Sequence, residues 1–166
     1  KIFSSRGNEI KELVDAFSNN NIIIVYGKSG VGKSKIAIEL LKNIEDDENK
    51  IKCIKARGLF DYTDLLRIAG NTDYFLIDDA DKFADVQKII SYLKNKKIIF
   101  TIRDYELFNF ISKLDNLEIN YFKYELKPFT DEAVNKVMND NIGPCNNLFL
   151  TKLNELVKGN IRLAFM

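Results

Sequence analysis

The chain has 166 residues, 46% apolar and 11% aromatic, which suits one ordinary domain with a buried core and excludes disorder. Its 25 basic and 24 acidic residues nearly cancel, so no overall field selects nucleic acid or an anionic membrane, although a local basic patch stays open. Histidine is absent, which excludes histidine acid–base chemistry and histidine metal sites and leaves catalysis to carboxylates, Lys, Arg and a metal held by oxygen.

Asn8 is the expected cap of a first helix whose apolar face is Ile10, Leu13, Val14 and Phe17. The polar run Asn19-Asn20-Asn21 breaks it before a strand over Ile22, Ile23, Ile24, Val25 and Tyr26. The chain then passes through Gly27-Lys28-Ser29-Gly30-Val31-Gly32-Lys33-Ser34 into a helix marked by Ile36, Ala37, Leu40, Leu41 and Ile44. Glu45 to Lys50 reads as an acidic loop and Ile51 to Lys55 as a second strand. Asp61 is the expected cap of a helix carrying Tyr62, Leu65, Leu66 and Ala69, ended by Gly70 and Asn71. A third strand, Tyr74 to Ile77, runs straight into Asp78 and Asp79. Val86, Ile89, Ile90 and Leu93 mark a helix, Ile98 to Ile102 a fourth strand, Leu107, Phe108, Ile111 and Leu114 a further helix, and Ile119 to Leu126 a fifth strand. This alternation predicts an α/β fold of three layers, a parallel sheet covered on both faces. Past Pro128 the pattern becomes helical: Thr130 caps a helix with Val134, Val137 and Met138, Gly143-Pro144 ends it, and a second periodic run spans Leu148 to Val157. The expected organisation is a core over 1–127 and the beginning of a small helical lid over 128–166.

The run from Gly27 to Ser34 fits G-x-x-x-x-G-K-[ST] at every required position and lies between a strand and a helix, the context of a phosphate-binding loop (Walker A). Gly27, Gly30 and Gly32 let the backbone turn its N–H groups toward phosphate oxygens, with Lys28, Ser29 and Val31 completing the loop. The following helix adds its dipole. Lys33 brings a cation to the terminal phosphates, and Ser34 offers its hydroxyl to Mg²⁺. Nucleotide binding is therefore expected.

Asp78 and Asp79 stand at the carboxyl end of an apolar strand, the edge where open α/β sheets bind ligands. Asp78 is the expected Mg²⁺ holder (Walker B), and Asp79 the residue that orients or deprotonates the attacking water; the bland alternative is that the pair starts a turn. In Thr101-Ile102-Arg103, Thr101 is a candidate partner of the water or the terminal phosphate. Arg103 is a candidate reader of that phosphate, or else pairs with Asp104 or the neighbouring aspartates. Arg162 reaches the nucleotide when a lid closes, or faces solvent. Tyr121-Phe122-Lys123-Tyr124 reads as sheet and core packing in preference to base stacking. Ile2 to Arg6 are placed by position to cover an adenine.

Cys53 and Cys145 lack C-x-x-C partners, so neither zinc nor a disulfide framework is indicated and a reducing, cytoplasmic setting is expected. No apolar run is long enough to span a bilayer and no signal sequence is visible, so no membrane partner is expected. A start at Lys1 and an end inside Ile161, Leu163, Ala164, Phe165 and Met166 read as an excised piece of a longer chain.

With the phosphate loop, Ile77-Asp78-Asp79, Thr101-Ile102-Arg103 and Gly159-Asn160-Ile161-Arg162-Leu163-Ala164 in this order, the chain resembles the STAND branch of the AAA+-related ATPases, which includes NB-ARC proteins and many bacterial signalling and antiviral sensors. Ser5-Arg6-Gly7-Asn8-Glu9 is similar to the family's G-R-x-x-E opening segment. The resemblance implies strand order 5-1-4-3-2, ATP or ADP with Mg²⁺ as ligands, and Arg103 as a sensor arginine. It also implies flanking sensor and effector domains, and it admits a nucleotide-dependent homo-oligomer. Two departures stand out: Ile161 occupies the place of the family's lid Pro, and Asp79 that of its more usual Glu, which suits slow turnover. The leading expectation is an ATP-binding, slowly hydrolysing switch. The alternative is an AAA+ ATPase acting on DNA, which would carry a DNA-binding module; a nucleoside kinase fits less well, since 128–166 holds a single Arg. ATP over GTP rests on the resemblance, because Asn95-Lys96-Lys97 lacks the Asp of a guanine-reading element.

Overall fold

The computed structural model describes residues 6–56, 61–117 and 119–166. In chain order it contains α1 (Gly7–Asn19), β1 (Ile22–Gly27), α2 (Lys33–Ile44), β2 (Ile51–Lys55), α3 (Thr63–Ala69), β3 (Tyr74–Asp78) and α4 (Val86–Tyr92). These are followed by β4 (Lys97–Arg103), α5 (Leu107–Asp115), β5 (Phe122–Glu125), α6 (Asp131–Ile142), α7 (Asn147–Val157) and α8 (Ile161–Ala164). The five strands form one parallel sheet in the order β2-β3-β4-β1-β5, as expected.

The strand alternation sends neighbouring side chains to opposite faces. Ile23, Val25, Leu76 and Ile99 meet Leu13 and Phe17 of α1 and Ile36, Ala37, Leu40 and Leu41 of α2. Ile22, Ile24, Phe75, Ile77, Phe100 and Ile102 face Leu65 of α3, Val86, Ile89 and Ile90 of α4, and Phe110 and Leu114 of α5. Phe100 and Phe110 pack edge to face with centroids 5.2 Å apart, which adds to their burial. A third cluster joins Val134, Val137 and Met138 of α6 to Leu150 and Val157 of α7, Ile161 and Ala164 of α8, and Phe129.

Several local expectations need correction. Asn8 does not cap α1: Arg6 holds that position, and its side chain makes no capping hydrogen bond. Asp61 lies one residue before the N-cap of α3, Tyr62, and accepts instead from the Thr63 amide and hydroxyl at 2.9 and 2.7 Å, an Asx turn leading into the helix. The acidic stretch holds a short 3₁₀ turn, Glu48–Lys50, capped by Asp47. β5 begins only at Phe122, opposite Ile23 of its neighbour β1. Ile119 and Tyr121 pack on the core from outside the ladder. Thr130 caps α6 as expected, accepting from the Ala133 amide. Among the described residues, no helix is long and apolar enough to cross a membrane.

Candidate nucleotide site

β1 delivers the glycine loop to the carboxyl edge of the sheet, and α2 starts at its far end. Gly27 (φ 153°) cannot carry a side chain, since a Cβ there would meet the Leu126 carbonyl oxygen at 2.4 Å. At Gly30 (φ 82°) a Cβ would lie 2.1 Å from Asn160 Oδ1, so any side chain there must displace that of Asn160 as well as adopt left-handed backbone. Lys33, the first residue of α2, is buried and its Nζ donates to the carbonyls of Gly27 and Lys28 at 2.8 and 2.9 Å. Burial pushes its pKa down against the pull of Asp104, Asp79, Asp81 and Asp78. The ammonium is thus held within the curve of the loop.

The acidic pair is fixed by three hydroxyl and amide contacts. Ser34 Oγ donates to Asp78 Oδ1 at 2.5 Å, Thr101 Oγ1 donates to the same oxygen at 2.6 Å, and Thr101 Oγ1 accepts from the Asp79 amide at 2.9 Å. Burial raises the Asp78 pKa, but the hydrogen bonds from Ser34, Thr101 and Lys55 prevail and hold it below the ordinary carboxylate value. Asp79 has left-handed backbone (φ 53°, ψ 49°), a conformation Asp tolerates better than most residues and one that clusters at functional sites. Its carboxylate takes Lys82 Nζ at 2.8 Å and Lys55 Nζ at 3.5 Å, while Lys55 also bonds Asp78 Oδ2 at 2.9 Å. Ser34 and Asp78 bring together two oxygen donors of the kind a hard divalent cation prefers, so the residues present fit Mg²⁺.

These groups open on a cleft of about 530 Å³ lined by Ser29 to Ser34 apart from Val31, and by Lys55, Asp79, Lys82, Arg103 and Arg162. Thr101 is fully buried and its hydroxyl is engaged by the acidic pair, so it positions Asp78 and Asp79 from below and does not line the cleft. Arg103 lines the cleft but its guanidinium is paired with Asp81, which lifts its pKa. An ion pair is the bland expectation for this residue, but with Asp104 or the Asp78-Asp79 pair; the partner is instead Asp81. Arg162 lines the cleft too. Next to it, Asn160 caps α8 through the Arg162 amide at 3.2 Å and donates to the Ser29 carbonyl at 3.1 Å. A larger cavity, about 880 Å³, lies at the opposite edge of the sheet beside Asn19, Asn20 and Asn21 and contains none of the motif residues.

Of the residues placed over an adenine, 2–5 lie outside those described. Arg6 is buried: its Nη2 donates to the carbonyls of Val31 and Lys127, Nη1 to Glu9, and its guanidinium lies 3.9 Å from the Phe129 ring centroid. Phe122 and Tyr124 pack on one core and Tyr121 on the other, as the packing reading required. Lys55, Asp81, Lys82 and Asn160 escaped the sequence reading. Lys55 was findable, since it is the last residue of β2 and so lies on the same ligand-binding edge as Asp78.

The family model of novel STAND NTPase 3 matches residues 6–141. The chain belongs to this family. It is thus a STAND NTPase, with the nucleotide-binding core of an ATPase. A STAND protein with a tetratricopeptide repeat sensor from Pyrococcus horikoshii superposes with TM-score 0.64 at 18% identity, over 94% of this chain and 28% of that one. AMPPCP-bound DnaA from Aquifex aeolicus gives 0.64 at 14% identity over 98% and 58% of the two chains. The Hsp104–ADP complex of S. cerevisiae gives 0.70 at 14% over 96% and 29%. The STAND chain thus spans under a third of the Pyrococcus protein, and these likenesses concern the fold. No curated protein matches it by sequence.

Proposed function

We propose that this STAND NTPase core is an adenine-nucleotide switch that hydrolyses ATP slowly, within a larger cytoplasmic protein whose other domains sense and signal. The observation that carries the reading is the hydrogen bond from Asn160 to the Ser29 carbonyl, which ties the segment before α8 to the phosphate loop itself. A loop that closes on a nucleotide is then felt at once by the helices of 128–166, the proposed lid. A switch needs a ligand that contacts its two arrangements differently. ATP and ADP differ in one phosphate, and the reading assigns its recognition to Arg103 and Asp79, both of which line the cleft.

Lys33 would leave the carbonyls of Gly27 and Lys28 for the terminal phosphates, and Arg103 would offer its donor fork to the last of them. Asp79 would orient the attacking water or take its proton; as the shorter acid in this place, it favours slow turnover. A Mg²⁺ ion held by Ser34 and Asp78 would supply charge neutralisation between the phosphates.

The test is thermal stabilisation by ATP, ADP and GTP with Mg²⁺, next to a Lys33→Ala variant. Adenine nucleotides are expected to raise the melting temperature, by the logarithm of their excess over Kd, while GTP and the variant show no shift. Equal stabilisation by GTP would refute the adenine assignment. Phosphate release unchanged by Asp79→Ala would remove Asp79 from catalysis.

A further inference from the structure

Asp81 stands three residues beyond Asp78, in the 3₁₀ turn Ala80–Lys82 that packs against β4. Its side chain is 1% exposed, whereas that of its partner Arg103 is 31% exposed. Oδ2 accepts from Arg103 Nε at 2.8 Å and also from Nη2. On its other side the guanidinium lies over the Tyr105 ring, 4.9 Å from the centroid. Asp81 Oδ1 is buried with no hydrogen-bond partner among the described residues. A buried carboxylate oxygen left unpaired is a cost to folding, so stability alone does not account for an acid here. What the acid does accomplish is geometric. Arginine ordinarily has much rotamer freedom to lose on meeting a ligand, and one already clamped has lost it in advance. The clamp uses Nε and Nη2, and Nη1 makes no hydrogen bond among the described residues.

We propose that Asp81 is a positioning residue which, with Tyr105, holds Arg103 at the cleft in the orientation that reads a terminal phosphate, so that Asp81 sets the preference for nucleoside triphosphate over diphosphate. The proposal rests on the reading of Arg103 given above. Because Asp81 offsets the charge of Arg103, its contribution is the placement of a donor fork and not added attraction.

The experiment measures Kd for a non-hydrolysable ATP analogue and for ADP, with Mg²⁺, on the wild type, Asp81→Asn, Arg103→Gln and the double variant. Asp81→Asn is expected to lower the triphosphate-to-diphosphate affinity ratio about tenfold, the size of a lost charge-assisted hydrogen bond, with ADP binding nearly unchanged. Arg103→Gln should lower the ratio at least as far, and the double variant no further. If Asp81→Asn leaves the ratio unchanged or raises it while Arg103→Gln lowers it, the role of Asp81 is overturned and that of Arg103 stands. If Arg103→Gln leaves the ratio unchanged, or the wild type shows no preference, both fail. A double variant that falls below Arg103→Gln means that Asp81 acts other than through Arg103, which also overturns the proposal. Should Asp81→Asn lose its melting transition, Tyr105→Ala, at a residue 64% exposed, carries the same test with a smaller expected drop.

Discussion

Gly30→Ala separates backbone strain from a specific contact. A side chain at φ 82° costs about 1–2 kcal/mol in left-handed backbone. Its Cβ would also lie 2.1 Å from Asn160 Oδ1. Asn160 must then swing away and give up its bonds to the Ser29 carbonyl and the Arg162 amide, each worth about 0.5–1.5 kcal/mol. The total is about 2–5 kcal/mol, a fall in melting temperature of roughly 5–15 °C for a chain of this size. In an Asn160→Ala background the two bonds are already gone and the three atoms nearest the new Cβ are removed, so Gly30→Ala should cost mainly the backbone part, about 1–2 kcal/mol. Urea unfolding of the four proteins gives the coupling directly. Equal costs in the two backgrounds, to within about 0.5 kcal/mol, would refute the claim that Asn160 packs on the phosphate loop.

Arg6→Lys keeps the charge but loses the fork that reaches Val31, Lys127 and Glu9, so unfolding should show a loss of about 2–3 kcal/mol. The Asp78 pKa is depressed in the fold, so its contribution is complete above the unfolded value of about 3.9 and is lost as pH falls through the folded one. Stability measured from pH 7 to 2 should therefore fall more steeply below pH 4 in the wild type than in Asp78→Asn. Burial, with Glu12 and Glu9 nearby, pushes Tyr124 up to about 12. Its contribution is complete below about pH 10 and lost toward 12, and the last phenolate step in an absorbance titration should vanish in Tyr124→Phe. Lys55→Gln removes an ammonium from a side chain 47% exposed, and stability should change by less than about 1 kcal/mol.

The strands and the loop were legible because local patterns specify them: Ile22 to Val25 is buried on both faces, and the glycine spacing is a covalent fact of the chain. Helix starts were less so. At Asn8 and Asp61 a good capping residue lay one or two positions from the turn that tertiary packing selects. β5 was drawn too long because Ile119 and Tyr121 are apolar for the sake of the core, without a strand to pair with. Site residues were found where a motif names them and missed where only long-range geometry does. Nothing near Asn160 in sequence announces Ser29, 131 residues away. Asp81 resembles any acid in a turn until β4 brings Arg103 against it.

Phe100 pairs with Ile24 on one side and with Ile77 on the other. β4 is therefore the wedge that joins the phosphate loop to the acidic pair, although both are encoded before it. On a ribosome the glycines, and a few seconds later the aspartates, emerge before the strand that lets them meet, and until then β1 and β3 each lack a neighbour on the edge that β4 will fill. Synthesis of this chain thus passes through an interval in which its most adhesive segments are out and its binding function does not yet exist, and a slow stretch of translation just before residue 97 would lengthen the exposure to aggregation.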